Sequence, residues 1–289
     1  MSESGLPFRS VAVLGPGLIG GSLILAIRSR WPDCELRCWA RREEAVVSLR
    51  QRFGNALLSS TSVAEVVEGA ECVILAMPTG AMADVVAQMK PFPDSHEVIV
   101  TDVGSVKGPV QQEIGSMITA LGADFVGSHP MAGSEKSGLD HADGDLFESA
   151  AVIMTPEAVH SEALISRLQR FWEGLGAVVS RLTPTAHDEL VARISHLPHL
   201  VAAALVRSML RDDPEAAKFS GGGFRDTTRL AGGLESMWTG ILADNQEAVS
   251  GQLSTLISEL ESWKVALDTL DREQLQRFLS EARSLRETL

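Results

Sequence analysis

Along the first half of the chain, short apolar runs alternate with stretches of helical period. The run VAVL at 11–14 meets a glycine turn, and apolar residues at helical spacing follow in LIGGSLILAI. Short apolar, β-branched runs bounded by turn residues predict buried strands. The same pattern predicts strands in ELRCWA (35–40), CVILAMP (72–78), EVIVTDVGSVK (97–107), SAAVIMTP (149–156) and GAVVSRLTP (176–184). REEAVVSLRQRF (42–53) and GAMADVVAQM (80–89) have helical period. Strands spaced by helices imply a parallel sheet with ligand at the carboxyl ends of its strands. This α/β unit is expected to span 1–182. GSHPMAGSEKSG (127–138), with one histidine, one proline and three glycines, predicts an irregular loop.

The pattern changes near residue 185. TAHDELVARISHLPHLVAAALVRSML (185–210) is apolar around much of its circumference, apart from its histidines and arginines, which predicts a buried helix. Pro198 should kink or break it near His196. A glycine-rich interruption, FSGGGFRDTTRLAGG (219–233), precedes helices expected at 236–248, 251–267 and 271–288. An all-helical unit over 183–289 too apolar for a monomer predicts a homodimer through these helices, with an ordinary domain core as the alternative.

Composition narrows the partners. A chain of 289 residues is long for one core, so two domains are expected. A net charge of −13 argues against nucleic acid and anionic membrane as partners. Cys34, Cys38 and Cys72 have no framework spacing, which predicts core thiols, a reducing compartment and no metal site. The opening MSESGLPFRS lacks an apolar run and the apolar stretch 200–206 is too short to span a bilayer, so the cytoplasm is expected. The absence of tyrosine excludes a phenol as acid or base.

The candidate chemistry begins at Gly15, Gly17 and Gly20, which fit G-x-G-x-x-G between a strand and a helix. The first glycine permits the turn, the second lets backbone approach a pyrophosphate, and the third lets helix and strand pack. Leu18 and Ile19 complete the phosphate-facing turn, and Pro78 and Thr79 sit on a second cofactor loop. After strand two an NAD enzyme usually carries an acid, but here stand Ala40, Arg41 and Arg42. Two guanidiniums suit a 2′-phosphate, so NADP is preferred, while Glu43 or Glu44 leaves NAD open. The strand-end loops place Thr79, Ser105, Lys107, His129 and Glu135 around one crevice, to which the helical half can add His196 and Arg229. A histidine there suits a general base. Simpler readings stand beside these: a surface His129, Lys107 neutralising the loop or a phosphate, Arg229 paired with Asp226 or Glu235, a structural His199 and a core Trp238. His96, His141, His160 and His187 are expected on the surface.

The motifs VLGPGLIGGS, TDVGSVKG, GSHPMAGSEKSG, SHLPHLVA and GGGFRDTTRLAGGLESMW, in this order, resemble those of the prephenate dehydrogenases and their arogenate-using relatives. The resemblance covers nearly the whole chain. It implies a Rossmann domain followed by an all-helical dimerisation domain, and oxidative decarboxylation of prephenate, arogenate or both. By the same resemblance His129 is the general base, and Ser105 orients it and contacts the substrate hydroxyl. It also implies that His196 lines the substrate site, that Arg229 binds the ring carboxylate, and that Glu135, Asp226 and Trp238 gate or frame the pocket. The acidic residue of NAD-using members is missing here. The rival readings are another two-domain dehydrogenase acting on a β-hydroxyacid or imine, and a non-catalytic dinucleotide-sensing module.

Overall fold

In the computed structural model, which describes residues 5–93, 97–133 and 138–288, the first apolar run forms β1 (Ser10–Leu14). Its side chains alternate between two cores. Val11 and Val13 join one cluster and Ala12 and Leu14 the other, the period-2 pattern of a strand covered on both faces. β4 (Cys72–Leu75) repeats this, with Cys72 and Ile74 on one face and Val73 and Leu75 on the other.

The parallel sheet also contains β2 (Glu35–Trp39), β3 (Leu58–Ser60), β5 (Ile99–Asp102) and β6 (Asp124–Phe125), in the order β3-β2-β1-β4-β5-β6. The order reverses between β1 and β4, the switch point where doubly wound sheets bind ligands. One face is covered by α1 (Leu18–Arg30), α2 (Glu43–Phe53) and α7 (Glu162–Gly174). The other face carries α3 (Val63–Val67), α4 (Met82–Val86), and the helix that runs from α5 (Gly108–Val110) through a π turn into α6 (Ser116–Ala120).

A second, three-stranded sheet departs from the expectation. β7 (Gly127–Pro130) pairs antiparallel with β8 (Ala151–Thr155), and β8 pairs parallel with β9 (Val178–Arg181). The 127–130 segment is therefore a strand rather than the start of a loop. Its partner strand lies more than twenty residues on, with His129 opposite Ile153, so no local turn signal announces it. Thr101 Oγ1 and Trp172 Nε1 both donate to Ser128 Oγ, at 2.9 and 3.1 Å, and tie β7 to the main core.

The second half is helical throughout. α8 (Pro184–Val191) passes through a π turn at Ala192–His196 into α9 (Leu197–Leu210). The expected break at Pro198 does not occur. Proline stands in the first turn after the π turn, where its missing N–H is tolerated. The continuous helix Pro184–Leu210 is, by length and composition, long and apolar enough to cross a membrane, unlike the short run that the sequence suggested. α10 (Gly222–Thr228), α11 (Glu235–Asp244), α12 (Gln246–Asp268) and α13 (Arg272–Arg286) follow. The helices break at Asn245 rather than at 248–251, because the Asn245 side chain is spent on bonds to α8 and the π turn.

Candidate active site

At the end of β1, Gly15 adopts φ +109°, and a Cβ there would lie 2.5 Å from the Ala76 carbonyl oxygen. A Cβ on Gly20 would lie 2.0 Å from the Gly15 carbonyl oxygen, so these two positions admit only glycine. Gly17 differs, for a Cβ there would meet nothing within 4 Å. It caps α1 in an extended conformation, with no side-chain bond to the helix and no acid in the first turn, which Leu18 and Ile19 begin. The first-turn N–H groups of α1 thus face an open cradle, which fits a dinucleotide pyrophosphate.

Two further segments border the same edge of the sheet. Arg41 and Arg42 follow β2, are exposed, and form no ion pair among the described residues. The nearby Glu43 lies 3.9 Å from Arg50. Pro78 and Thr79 follow β4, and Thr79 Oγ1 donates to Asp244 Oδ2 at 2.5 Å. This bond fastens the β4–α4 loop to the helical half.

The other concentration of chemistry is buried. His129 lies on β7 with its Nδ1 2.8 Å from His187 Nε2. His187, on α8, is fully buried and places its Nδ1 2.7 Å from Asp188 Oδ1. Asp188 also accepts the Lys107 and Gly108 backbone N–H groups, each at 2.8 Å. The Lys107 ammonium is buried against Asp102, which also accepts the Gly104 and Ser128 N–H groups at 2.8 and 3.3 Å. Asn245 Nδ2 donates to the Asp188 carbonyl at 2.8 Å and meets His196 Nδ1 at 3.1 Å. His196 is only 1% exposed, and its Nε2 has no partner among the described residues. An orphaned buried nitrogen costs about 1–3 kcal/mol, which a bound ligand can recover.

These surroundings set the charges. Burial, then the Lys107 cation and the His187 and His196 rings, push the His129 pKa well below that of an ordinary histidine. Burial pushes His196 down to about 4, against the opposing pull of Asp188. Burial also lowers Lys107, although Asp102 resists. His129 is therefore a neutral imidazole near pH 7, the form that accepts a proton.

The structure sorts the expected residues. Ser105 is half-buried on the β5–α5 loop, and among the described residues no hydrogen bond joins it to His129. His187 occupies His129 Nδ1 instead. His187 is thus no surface group. It packs between β7 and the β5–α5 loop, contacts invisible in its flanking sequence. Lys107 turns inward to Asp102 rather than toward a phosphate. Trp238 is half-buried, stacking on His199 with ring centroids 3.5 Å apart and meeting His196 edge-on at 6.1 Å. Arg229 and Asp226 are exposed on the glycine-rich segment and pair neither with each other nor with Glu235. Glu135 and His96 lie outside the described residues. His141 is exposed, and His160 is half-buried with its Nδ1 accepting the Glu157 N–H at 3.0 Å. Sequence reasoning missed His187, Asp188 and Asn245. The readable signal was Thr183-Pro184: Thr183 caps α8 through the Ala186 N–H at 3.2 Å, which puts the His-Asp pair in the following turn.

Comparison with known proteins gives this arrangement a context. The family "Prephenate dehydrogenase, nucleotide-binding domain" matches residues 42–181, and "Prephenate dehydrogenase, dimerization domain" matches residues 183–281. The prephenate dehydrogenase of Bacillus subtilis is 32% identical over 97% of this chain and 76% of its own length. The cyclohexadienyl dehydrogenase of Zymomonas mobilis is 30% identical over 96% of this chain and 95% of its own. Among solved structures, Aquifex aeolicus prephenate dehydrogenase in complex with hydroxyphenyl propionate and NAD+ superposes with a TM-score of 0.87. It is 29% identical and covers 98% of both chains. The arogenate dehydrogenase of Synechocystis superposes at 0.81 with 27% identity, over 96% of this chain and 99% of its own. Matched by a nucleotide-binding and a dimerization family model in succession, and similar to these enzymes over nearly its full length, the chain belongs to the prephenate dehydrogenase family.

Proposed function

We propose that this dehydrogenase converts prephenate to 4-hydroxyphenylpyruvate and CO2, with His129 as the general base. The observation that carries this reading is a neutral, buried imidazole whose Nδ1 is engaged by His187, leaving Nε2 for a substrate hydroxyl. When bound, a nicotinamide dinucleotide supplies the hydride acceptor. His129 takes the ring hydroxyl proton on Nε2 as the carbinol carbon loses hydride. The new carbonyl accepts the electron pair released as the ring carboxylate departs as CO2, and the ring becomes aromatic. Arg229, which forms no ion pair among the described residues, pairs with that carboxylate and orients the ring. His196 offers its unpartnered Nε2 to the substrate, beside Trp238. Ser105 reaches the substrate hydroxyl rather than His129, and Asp226 frames the entrance.

Gly15, Gly17, Leu18, Ile19 and Gly20 hold the pyrophosphate, while Pro78 and Thr79 line the nicotinamide end. Arg41 and Arg42, beside the expected ribose and without an ion pair among the described residues, favour NADP over NAD. Arogenate is the second reading for the substrate, supported by the likeness to the Synechocystis arogenate dehydrogenase.

The division into units falls between residues 182 and 183, where the Thr183 cap begins α8. The helical unit exposes Leu260, Val265, Leu267 and Leu270 at 57 to 79%. Only 28% of the most apolar window of Pro184–Leu210 is buried. A second copy of the chain covers these faces in a homodimer. Cys34, Cys38 and Cys72 are free and buried, and burial raises the thiols of the first two to about 11 and 12, which suits a reducing cytoplasm.

Steady-state absorbance at 340 nm, with prephenate and arogenate each against NADP and NAD, tests the reading. Turnover should be fastest with prephenate and NADP. No turnover with either substrate would refute the reaction, and a strong NAD preference would refute the cofactor assignment.

A further inference from the structure

Resting on the reading of His129 as the base, we propose that His187 and Asp188 are positioning residues that fix its tautomer and take up the proton it releases. Backbone N–H groups can only donate, so the Lys107 and Gly108 bonds make both Asp188 carboxylate oxygens acceptors. The 2.7 Å contact with Oδ1 therefore requires a hydrogen on His187 Nδ1. A neutral imidazole carries one N–H, so His187 Nε2 is a lone pair. Across the 2.8 Å contact, His129 Nδ1 must then donate. His129 Nε2 is left unprotonated, as a base requires.

The same chain handles the proton. When the substrate hydroxyl proton arrives on His129 Nε2, the proton on Nδ1 can pass to His187 Nε2. His129 returns to neutrality, and His187 becomes an imidazolium held against the Asp188 carboxylate. After CO2 leaves, the phenolate takes the proton back from His129 Nε2 and the Nδ1 proton returns from His187, so the balance closes without a further reactant. The transfer also relieves a cost. A cation on His129 would be buried beside the Lys107 ammonium, whereas on His187 it faces an anion. The sequence positions joined are far apart: 58 residues separate His129 from His187, and 81 separate Lys107 from Asp188. The relay exists only when α8 is docked on the β5–α5 loop, so it also couples the two halves of the molecule.

Asp188→Asn is the decisive variant. It keeps the size but removes the anion that an imidazolium on His187 would face, and its single acceptor oxygen cannot serve the three donors that Asp188 meets. In the full-length dehydrogenase kcat should fall about 10²- to 10⁴-fold, with prephenate KM within about threefold and cofactor affinity unchanged. Nitrogen-15 NMR of labelled histidines should show His129 as the Nδ1–H form in the wild type. His187→Gln, which keeps an acceptor oxygen for His129 Nδ1, should retain about tenfold more kcat than His187→Ala at matched Tm. An Nε2–H form in the wild type would overturn the proposal, as would an Asp188→Asn kcat within about threefold of wild type or equal rates for the two His187 variants. If Asp188→Asn does not fold, the wild-type spectrum still decides. That spectrum is independent of turnover, so failure of the relay is distinguishable from failure of the prephenate reading, which a fully active His129→Asn would reveal.

Discussion

The glycine turn after β1 and the histidine cluster between β7 and α8 solve opposite problems. The turn must stay open. Its donors are backbone N–H groups at a helix start, its residues carry no titratable side chain, and the space above Gly17 is left vacant by the chain. The cluster is closed. His129, His187, Asp188, Lys107 and Asp102 are all buried, and among the described residues every ring nitrogen and carboxylate of the network is engaged except the Nε2 atoms of His129 and His196. A permanent anion is held by preorganised dipoles with nothing to titrate. A transient proton needs groups whose affinities burial and neighbours can shift.

This contrast can be broken at graded points. The largest effect is expected for Gly20→Ala. Its Cβ would lie 2.0 Å from a backbone oxygen, so the turn must open at a cost on the order of 4 kcal/mol, read as a fall in Tm and lost cofactor binding. Acid comes next. His196 binds a proton below about pH 6.5 when unfolded and only near 4 when folded, so between these values the unfolded chain holds the extra proton. Stability should therefore be complete above pH 6.5 and lost as pH falls toward 4, by ~3 kcal/mol from this residue. His129, shifted in the same direction, adds to that loss. His196→Gln should flatten the slope in pH-dependent denaturant unfolding, whereas cofactor affinity at the glycine turn should stay level across the folded range. Gly17→Ala sharpens the comparison: with nothing within 4 Å, it should leave Tm unchanged yet weaken cofactor binding about tenfold. The smallest effect is expected for Arg41→Ala or Arg42→Ala, each raising NADP KM about fivefold with NAD KM little moved.

The same contrast explains what could be read from the sequence. The glycine turn lies within six consecutive residues, and each glycine has a local reason, so periodicity and spacing sufficed. Apolar alternation likewise announced β1, β2, β4, β5, β8 and β9. The two- and three-residue strands β6 and β3 carry too little pattern, and β7 is made by pairing with β8 rather than by its own propensity. His129 was legible as chemistry because of its motif, but not its partner. Histidine next to aspartate at the start of an amphipathic helix looks like a solvated face until α8 docks on the β5–α5 loop. Asn245 was hidden in the same way, its purpose evident only from the Asp188 carbonyl and His196 ring it joins.

The central claim is that one buried imidazole removes the substrate hydroxyl proton. The direct measurement is kcat and KM of His129→Asn with prephenate, alongside its cofactor affinity. A kcat lowered about 10²- to 10⁴-fold, with both affinities near wild type, is the expected result. A kcat within about twofold of wild type would contradict it.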